Sequence, residues 1–432
     1  TIVNAALNEA EVIGGKPVAE VTADITTAYT DSNDDGVLDT RDDRSSESTL
    51  GNLVANALRD SVAEQPAGAD IGVVNPGGLR SDLLYAGSTG GDADVNKDGV
   101  ITYAEANAVL PFTNNLYSVS MTGAQFKKIL EQQWQRTAGG AIPSRQYLQL
   151  GLSDNARYTF DPQAPEGEHI IDVIVDGKPI DEDATYKIAT FSFLAAGGDN
   201  FHEFKNAQSV DTGLVDREAW IDYLGDESPV LPSFARRAVA VNDLPESVSK
   251  GSTLSFNLSQ LDLTSLGSPA NTKVSSFTLT SSGGQSTELP GEAGVTNGAA
   301  PVDVVIPSNV APGRYTLTGV AIPSGTTFSV PVEVQKADSQ IAASQAPPTR
   351  VKANKTKAKI HAEVTVSGFT PSGKVTVYFD GKPVGEASLK KGSAKIRLDR
   401  FRTTGTKELS VVYAGNDDAN SSTTTVTIQV VR

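Results

Sequence analysis

The sequence predicts a multidomain protein in which an α/β domain, a mixed sheet with helices, is followed by two all-β sandwiches. The chain has 432 residues, enough for about three domains of ~150 residues each. Helical and strand-like patterns are mixed in the first part. After Ser228-Pro229 the chain is rich in Ser, Thr, Gly, Pro and Val, with short alternating runs between turns. We therefore place the domains at 1–235, 237–335 and 350–432, with a linker over 337–349.

Several segments of the first domain have the periodicity of helices or strands. The helix predicted over 47–64 has apolar residues three and four positions apart, namely Leu50, Leu53, Val54, Ala57, Leu58 and Val62. Thr122 and Gln125 form a capping box, which predicts the start of a helix that ends near Gln135. A further helix is predicted over 216–224, at the end of the domain. Strands are predicted at 71–74, 116–121, 170–175 and 186–191, the third of which enters an Asp-Gly hairpin.

The sandwiches are predicted from short runs that alternate apolar and polar residues. The second domain has such runs at 302–306 and 314–318. In the third domain they lie at 375–384, where Asp380-Gly381 marks a hairpin, and at 394–398, 409–412 and 423–431. This last pattern resembles the bacterial immunoglobulin-like repeats of secreted and surface proteins. We expect both sandwiches to be immunoglobulin-like.

Composition restricts the class of protein. The formal net charge of −16 disfavours nonspecific nucleic-acid binding by the whole chain. Residues 350–432 hold 15 Lys and Arg against 7 Asp and Glu, a net charge of +8, which leaves −24 for residues 1–349. The chain has no cysteine, and no apolar run approaches the ~20 residues of a membrane helix. Because the first residue is Thr1, we expect a processed segment that lacks a leader and an N-terminal domain.

Two acidic stretches have the spacing of twelve-residue calcium loops. Positions 1, 3, 5, 7, 9 and 12 surround a glycine at position 6, an arrangement that suits a hard cation. These positions are Asp31, Asn33, Asp35, Val37, Asp39 and Asp42 in the first loop, and Asp94, Asn96, Asp98, Val100, Thr102 and Glu105 in the second. The first loop departs from the pattern by ending in Asp rather than Glu. A solvated acidic turn is the alternative for each, but two copies with matching offsets favour Ca²⁺ binding.

Four motifs in a fixed order carry a further resemblance. They lie at 44–53, 71–80, 110–114 and 193–201, and the second is a strand followed by a Pro-Gly-Gly turn and an arginine. Together they resemble the C-terminal substrate-binding domain of the 5'-nucleotidase family, which includes ecto-5'-nucleotidases and bacterial UDP-sugar hydrolases. The resemblance covers roughly residues 1–235 and is more specific than any one motif.

The resemblance implies that the first domain binds a nucleotide or nucleoside. Arg44 and Arg80 would pair with the substrate phosphate, for which the guanidinium fork is suited. Phe112 and Phe193 would stack on the two faces of the base. Asn114 would hydrogen-bond to the edge of the base.

Two glycine-containing loops, the first with Gly77-Gly78 and the second with Gly197-Gly198, supply the remaining implied contacts. Asn75 would contact the substrate beside the first loop, and Asp199 would bind the ribose hydroxyls. The loops depart from the family at Pro76 and Asn200, where glycine is usual. Since asparagine accepts a left-handed backbone, we expect the second loop to keep its shape.

In that family the ester bond is broken by an N-terminal metallophosphatase domain that holds two metal ions. This chain has only three histidines, His169, His202 and His361, and none lies in a metal-ligand motif of that domain. The resemblance implies that the parent protein is a 5'-nucleotidase acting on nucleoside 5'-phosphates or nucleotide-sugars. This segment would bind nucleotide without hydrolysing it, and the catalytic divalent metals would belong to the missing domain.

Two other functions stay open. One is a calcium-stabilised adhesion or wall-binding module of the cell surface, in which the α/β domain has lost its ligand. The other is the accessory part of an extracellular nuclease that carries the same domain. The basic third domain favours cell-wall polymers as a partner, although a solvated lysine-rich surface is the simpler explanation. The preferred interpretation is a bacterial protein that is secreted or displayed on the cell surface.

Overall fold

The structure is a computed structural model, and it describes residues 9–87 and 96–432. The helices that frame the first domain are α1 (Thr49–Ala63), α2 (Tyr103–Val109), α3 (Gly123–Glu131), α4 (Ser192–Ala195) and α5 (Asp216–Asp226). No helix in the described ranges is long and apolar enough to cross a membrane. Short 3-10 turns cover Pro76–Gly78, Gly198–Asn200 and His202–Asn206.

The strands fall into three groups along the chain. The first group is β1 (Pro17–Glu20), β2 (Tyr29–Thr30), β3 (Thr40–Arg41), β4 (Ile71–Val74), β5 (Val100–Thr102), β6 (Asn115–Thr122), β7 (Gly151–Leu152), β8 (Ala156–Phe160), β9 (Ile170–Val175), β10 (Lys178–Pro179), β11 (Thr185–Phe191) and β12 (Gln208–Val215). The second is β13 (Ala238–Asn242), β14 (Val248–Ser249), β15 (Thr253–Ser259), β16 (Lys273–Ser281), β17 (Ser286–Glu288), β18 (Ala293–Gly294), β19 (Ala300–Val305), β20 (Gly313–Ile322) and β21 (Thr327–Gln335). The third is β22 (Ser339–Ala346), β23 (Val351–Lys352), β24 (Lys359–Val366), β25 (Lys374–Phe379), β26 (Lys382–Ser388), β27 (Ser393–Arg397), β28 (Gly405–Tyr413) and β29 (Ser422–Val431).

A five-stranded mixed sheet with the order β12-β6-β11-β4-β7 is the centre of the first domain. β11 and β4 are parallel and pair Ile188 with Ile71. One face of the sheet packs against α1 and α5, and the other packs against α3 and the neighbouring sheet. Val73 lies in one of these cores and Val74 in the other, as expected for a strand that is buried on both faces.

The first and second domains share one sheet. Its six strands have the order β10-β9-β8-β13-β15-β19, so that three come from each domain. β13 is parallel to β8, with Ala238 opposite Tyr158, and antiparallel to β15. Ala238 and Ala240 also lie in a hydrophobic core of the first domain. Backbone hydrogen bonds and a common core therefore make the two domains one continuous structure.

A buried carboxylate strengthens the same junction. Glu47 lies just before α1, and its Oε1 accepts a hydrogen bond from the backbone N–H of Arg237 at 2.6 Å, while Oε2 accepts from that of Ala238 at 3.0 Å. Nε of Arg236 lies 3.4 Å from Oε2, and the Asn52 amide donates to Oε1 at 2.7 Å. A charge removed from water needs such partners to replace its lost hydration. Glu47 thus ties the start of α1 to the start of β13.

The second and third domains are two-layer β-sandwiches. In the second domain a sheet with the order β14-β21-β20-β16-β17, in which β18 also pairs with β16, packs against the shared sheet. In the third domain the sheet β22-β24-β27 packs against β23-β29-β28-β25-β26. The inward side chains alternate with outward ones along these strands, which is typical of a sandwich.

Most of the predicted elements are confirmed, and two predictions are wrong. The helix over 47–64, the strand over 71–74, the capping box and both Asp-Gly hairpins are present. The helix predicted to reach Gln135 ends at Glu131, because the Gln133 side chain turns inward to bond with Tyr158 and the backbone of Leu150. The predicted linker over 337–349 is incorrect because β22 pairs along its whole length with β24. Its small alternating residues are compatible with an edge strand.

Replacing Glu47 by Ala should destabilise the first two domains together. The change leaves two backbone N–H groups buried without their acceptor and the buried Arg236 without its counter-charge, so we expect the free energy of unfolding to fall by about 3–5 kcal/mol. Urea denaturation followed by tryptophan fluorescence measures it, because both tryptophans, Trp134 and Trp220, lie in the first domain. Lys273→Ala is the control, since the exposed Lys273–Glu292 pair should contribute less than about 1 kcal/mol. An unchanged midpoint for Glu47→Ala would contradict this role.

Candidate functional site

Six of the seven side chains singled out from the sequence line one open cleft of about 400 Å³. They are Arg44, Asn75, Phe112, Asn114, Phe193 and Asp199. Gly77, Gly78 and Phe191 also line it. Its volume is within the range of small-molecule sites, and it combines aromatic rings with a few polar groups, as such sites do.

The central sheet explains why residues so far apart in the sequence meet. Because β4 and β11 are parallel neighbours, the segments that follow them leave from the same edge. Asn75 follows β4, and Phe193 lies in α4 directly after β11. β6 begins opposite the end of β11, where Leu116 pairs with Phe191. Phe112, which lies shortly before β6, therefore reaches the same edge.

Two phenylalanine rings are exposed at the cleft. Phe112 is 55% exposed and Phe193 is 46% exposed, although burial of such large apolar side chains is normally favourable. Gly198 lies directly against the second ring, and a Cβ at this position would be 2.5 Å from its atoms. The absence of a side chain at Gly198 is therefore what allows the Phe193 ring to lie where it does.

Asn75 and Asp199 form a hydrogen-bonded pair in the cleft, in which Nδ2 of Asn75 donates to Oδ2 of Asp199 at 2.6 Å. Asn75 is only 3% exposed, and its Oδ1 has no hydrogen-bond partner among the described residues. Asp199 has a φ of 49° and Asn200 one of 60°, so the loop is left-handed here, as the asparagine permits. A buried acceptor without a donor is unfavourable, and a ligand donor would relieve it.

Arg44 is held in place by a carboxylate. Its Nε lies 2.9 and 3.1 Å from the two carboxylate oxygens of Asp42, and its Nη2 donates to Oδ2 at 2.8 Å. Its carbonyl accepts a hydrogen bond from the backbone N–H of Gln149 at 2.9 Å. Its Nη1 lies 3.1 Å from the position that a Cβ of Gly77 would occupy. One end of the guanidinium is thus paired, and the other lies at the glycine turn of the cleft.

Arg80 is the one predicted residue that does not line the cleft. It is exposed, and its guanidinium carbon lies 5.7 Å from the centroid of the Phe112 ring, a cation–π distance. Its Nη1 lies 3.5 Å from the carbonyl oxygen of Gly77. Arg80 is therefore placed at the rim, beside one of the two exposed rings.

Asn114 is fixed by a residue that the sequence did not indicate. Its Nδ2 donates to Oδ2 of Asp216 at 2.9 Å, and the backbone N–H of Asp216 donates to the Asn114 carbonyl at 2.9 Å. Asp216 is 1% exposed, and burial raises the pKa of its carboxyl above the usual value. The two residues are 102 positions apart, and the pattern around Asp216 indicates only the start of a helix.

Comparison with known proteins identifies two parts of the chain. Residues 21–206 match the family described as 5'-nucleotidase, C-terminal domain. The first domain is a 5'-nucleotidase C-terminal domain. Residues 344–431 match the bacterial Ig-like domain, group 3, so the third domain is immunoglobulin-like. The first domain is called the nucleotidase domain below.

The nucleotidase domain is similar to parts of longer proteins. The cell wall protein Lmo0130 of Listeria monocytogenes is 34% identical over 185 residues, which cover 42% of this chain and 21% of that protein. The trifunctional nucleotide phosphoesterase protein YfkN of Bacillus subtilis is 34% identical over 189 residues, covering 42% of this chain and 11% of that protein. The crystal structure of a 5'-nucleotidase precursor from Thermus thermophilus has a TM-score of 0.42 and 27% identity, over 55% of this chain and 42% of that one. The match spans less than a quarter of either curated relative.

The first predicted calcium loop of the nucleotidase domain folds around Asp31, whose carboxylate accepts from the backbone N–H of Gly36 at 2.7 Å. Hydrogen bonds from two neighbouring hydroxyl groups lower the pKa of Asp39. The Asp42 carboxylate is paired with Arg44. Within 9–87 and 96–432, no group of three or more His, Cys, Asp or Glu side chains is placed to hold a metal ion. Ca²⁺ binding by this loop stays a prediction.

The second predicted calcium loop lies partly outside the described residues, because Asp94 falls there. Glu105 accepts from the backbone N–H and the hydroxyl of Thr102, both at 2.8 Å, and completes a capping box at the start of α2. Nδ2 of Asn96 donates to Glu105 at 3.3 Å, and Asp98 accepts from the backbone N–H of Gly87 at 3.1 Å. Glu105 is therefore a helix cap as well as a candidate ligand, and this site too stays a prediction.

The three histidines lie in separate segments of the chain, and His169 lies just before β9. His169 stacks on Trp134 with ring centroids 3.9 Å apart, and its Nδ1 lies 2.9 Å from the Glu131 carboxylate. His202 lies in a 3-10 turn of the nucleotidase domain, and His361 lies in β24 of the third domain. None of them belongs to a metal-ligating cluster in the described part of the chain.

Replacing Gly198 by Ala should displace the Phe193 ring without unfolding the domain. The new methyl group would overlap the ring, whereas the backbone at 198 is outside the left-handed region and accepts alanine. A crystal structure of the variant should show Phe193 in a different rotamer, with a change in stability below about 1 kcal/mol. Gly139→Ala is the matched control, because a Cβ there meets nothing closer than 4.0 Å. A ring left in place would contradict the packing described above.

Proposed function

We propose that the nucleotidase domain is the substrate-binding part of a secreted 5'-nucleotidase, and that its cleft binds nucleoside 5'-phosphates or nucleotide-sugars. One observation carries the proposal: two exposed aromatic rings, an arginine and a buried acceptor without a partner meet on one open cleft in the described structure. A nucleotide has a flat base, hydroxyl donors and an anionic end, which are complementary to these groups. The names of two relatives, a nucleotide phosphoesterase and a 5'-nucleotidase, support the same class of ligand.

In this proposal the base lies between Phe112 and Phe193. Stacking on an aromatic side chain contributes about 1–3 kcal/mol per base and tolerates different bases. Asn114 lies two positions beyond Phe112 and is therefore close to the edge of a base stacked there. Asp199 and Asn75 present oxygen acceptors, which suit the ribose hydroxyl groups.

The phosphate is assigned to two arginines with different environments. Arg44 is paired with Asp42, so this pair adds little net charge and offers a directed hydrogen bond from Nη1. Arg80 is exposed and has no carboxylate within 4.0 Å among the described residues, so it supplies the net positive charge. The attraction between Arg80 and the substrate phosphate should therefore weaken as the salt concentration rises.

Hydrolysis is assigned to a different part of the parent protein. Two-metal phosphoesterases hold their ions with several imidazole and carboxylate ligands, and the three histidines here lie in separate segments of the chain. We propose that a metallophosphatase domain on the N-terminal side carries the catalytic divalent metals. This segment would then hold the substrate while that domain cleaves it.

We place the protein outside the cell, secreted or on the cell surface. One relative is by name a cell wall protein. The net charge of +8 on residues 350–432 favours a second candidate function, a wall-binding module for anionic polymers. Co-sedimentation with bacterial cell walls in rising salt tests this function separately from nucleotide binding.

Isothermal titration calorimetry with AMP and adenosine tests the nucleotide site. Phe112→Ala and Phe193→Ala should each weaken the binding of both ligands by roughly 5- to 100-fold, because each removes one stacking surface. Arg44→Ala should weaken AMP binding about tenfold and leave adenosine within about twofold, because adenosine has no phosphate. Tyr85→Ala, which removes another exposed ring, is the control. A wild-type protein that binds neither ligand nor UDP-glucose would overturn the proposal.

We propose that both acidic loops bind Ca²⁺ and that the first loop is coupled to the phosphate site. Asp42 is the link, because it is the predicted last ligand of the loop and also the partner of Arg44. If Asp42 moves to a bound Ca²⁺, Arg44 loses its counter-charge and is left to pair with phosphate. The two ligands would then strengthen each other's binding.

Calcium titration into metal-free protein tests this coupling. The Kd for AMP should fall by about threefold or more between EDTA and millimolar Ca²⁺, whereas the Kd for adenosine should stay nearly constant. Asp35→Ala should remove one Ca²⁺ site together with this effect. Asp181→Ala, in an exposed acidic turn outside both loops, should change neither. Equal AMP affinity in EDTA and in Ca²⁺ would rule out the coupling even with both ions bound.

A further inference from the structure

The pair formed by Asn114 and Asp216 is held at both ends. Oδ1 of Asp216 accepts from the backbone N–H of Arg217 at 2.6 Å, and Oδ2 accepts from Nδ2 of Asn114 at 2.9 Å. In the other direction, the backbone N–H of Asp216 donates to the carbonyl of Asn114 at 2.9 Å. With Asp216 only 1% exposed, neither side chain is free to rotate away.

This pairing decides which atom Asn114 offers to a ligand. A carboxylate that accepts two N–H groups cannot donate, so the nitrogen of the Asn114 amide must face Asp216. The amide oxygen, Oδ1, is then the polar atom left for the cleft that Asn114 lines. No described residue donates a hydrogen bond to that oxygen.

We propose that Asp216 is a specificity-determining residue, because it makes the base edge of the cleft a hydrogen-bond acceptor. The inference rests on the proposed nucleotide site and deepens it by naming the preferred ligands. They are nucleosides and nucleotides whose base presents an N–H donor at its outer edge, such as the amino group of adenine. A base without such a donor would leave Oδ1 of Asn114 unpaired against it.

Adenosine and purine riboside form a matched pair of probes. They differ only in the 6-amino group, which is the one N–H donor on the base of adenosine and is absent from purine riboside. Both keep the ring face and the ribose, so stacking on Phe112 and Phe193 is nearly the same. The wild-type protein should bind adenosine about threefold to tenfold more tightly, the ratio expected for one neutral hydrogen bond.

Asp216→Asn tests the role of the carboxylate. The new side chain has the same shape, and its Oδ1 keeps the hydrogen bond from Arg217. Its Nδ2 now donates, so the Asn114 amide must turn over and present its own Nδ2 to the cleft. A donor there pairs with ring nitrogens that both probes possess, and the preference for adenosine should disappear or reverse.

Asp211→Asn is the matched control. Asp211 accepts from Nδ2 of Asn115 at 2.8 Å, so this is the same kind of pair on the adjacent residue, and it does not line the cleft. The control should keep the wild-type ratio of affinities. If Asp216→Asn fails to fold in a thermal-unfolding measurement, Asn114→Ala takes its place and should reduce the ratio to about one, since it removes the acceptor.

The outcomes separate the two proposals. A wild-type protein that binds none of adenosine, AMP and UDP-glucose overturns the nucleotide site itself. A wild-type protein that binds both probes equally, or a folded Asp216→Asn variant that keeps the preference for adenosine, overturns the role of Asp216 and leaves the nucleotide site standing. Loss of the preference in Asp216→Asn with its retention in Asp211→Asn supports the inference.

Discussion

The burial of Glu47 is the constraint on which the arrangement of the first two domains depends. An ionised carboxylate without water is unfavourable unless its oxygens are fully bonded, and here two backbone N–H groups, an amide and an arginine bond them. Three of these four partners lie at the start of the second domain. Because Glu47 is three positions after Arg44, the same contact that joins the domains also fixes the chain that carries a cleft residue. The second domain is therefore part of the framework of the site.

The cleft itself combines prearranged groups with unsatisfied ones. Arg44 is oriented by Asp42, Asn114 by Asp216 and the Phe193 ring by Gly198, so little side-chain entropy remains to be lost when a ligand binds. In contrast, the buried Oδ1 of Asn75 has no described partner, and two apolar rings face solvent. Unpaired buried acceptors and exposed aromatic rings are unfavourable for stability but useful for binding a ligand. They therefore support a function for the cleft.

Patterns within a few residues of one another predicted most of the fold. The capping box of Thr122 and Gln125 and the Asp-Gly hairpins are local chemistry, and the structure contains them. Six of the seven predicted site residues line the cleft, and their motifs meet there because neighbouring parallel strands end at the same edge of the sheet. What the sequence could not predict depends on distant partners: the inward turn of Gln133, which ends α3 early, and the pairing of Asp216 with Asn114. β22 was missed because its small residues resemble a linker until β24 is beside them.

The third domain is joined more firmly than its sequence suggests. Only three residues separate β21 from β22, and one of them is Ala337. The backbone N–H of Ala337 donates to the carbonyl of Asp418, and its carbonyl accepts a hydrogen bond from the backbone N–H of Asn420, so both backbone groups are bonded to the third domain. Lys250 of the second domain is almost completely buried at this junction, where it pairs with Asp418 at 2.7 Å and lies 5.4 Å from the Phe369 ring centroid. A buried lysine is stable only with such partners. The second domain thus shares a sheet with one neighbour and an ion pair with the other. These contacts hold the basic third domain in a defined position relative to the acidic nucleotidase domain, where a flexible tether would leave it free.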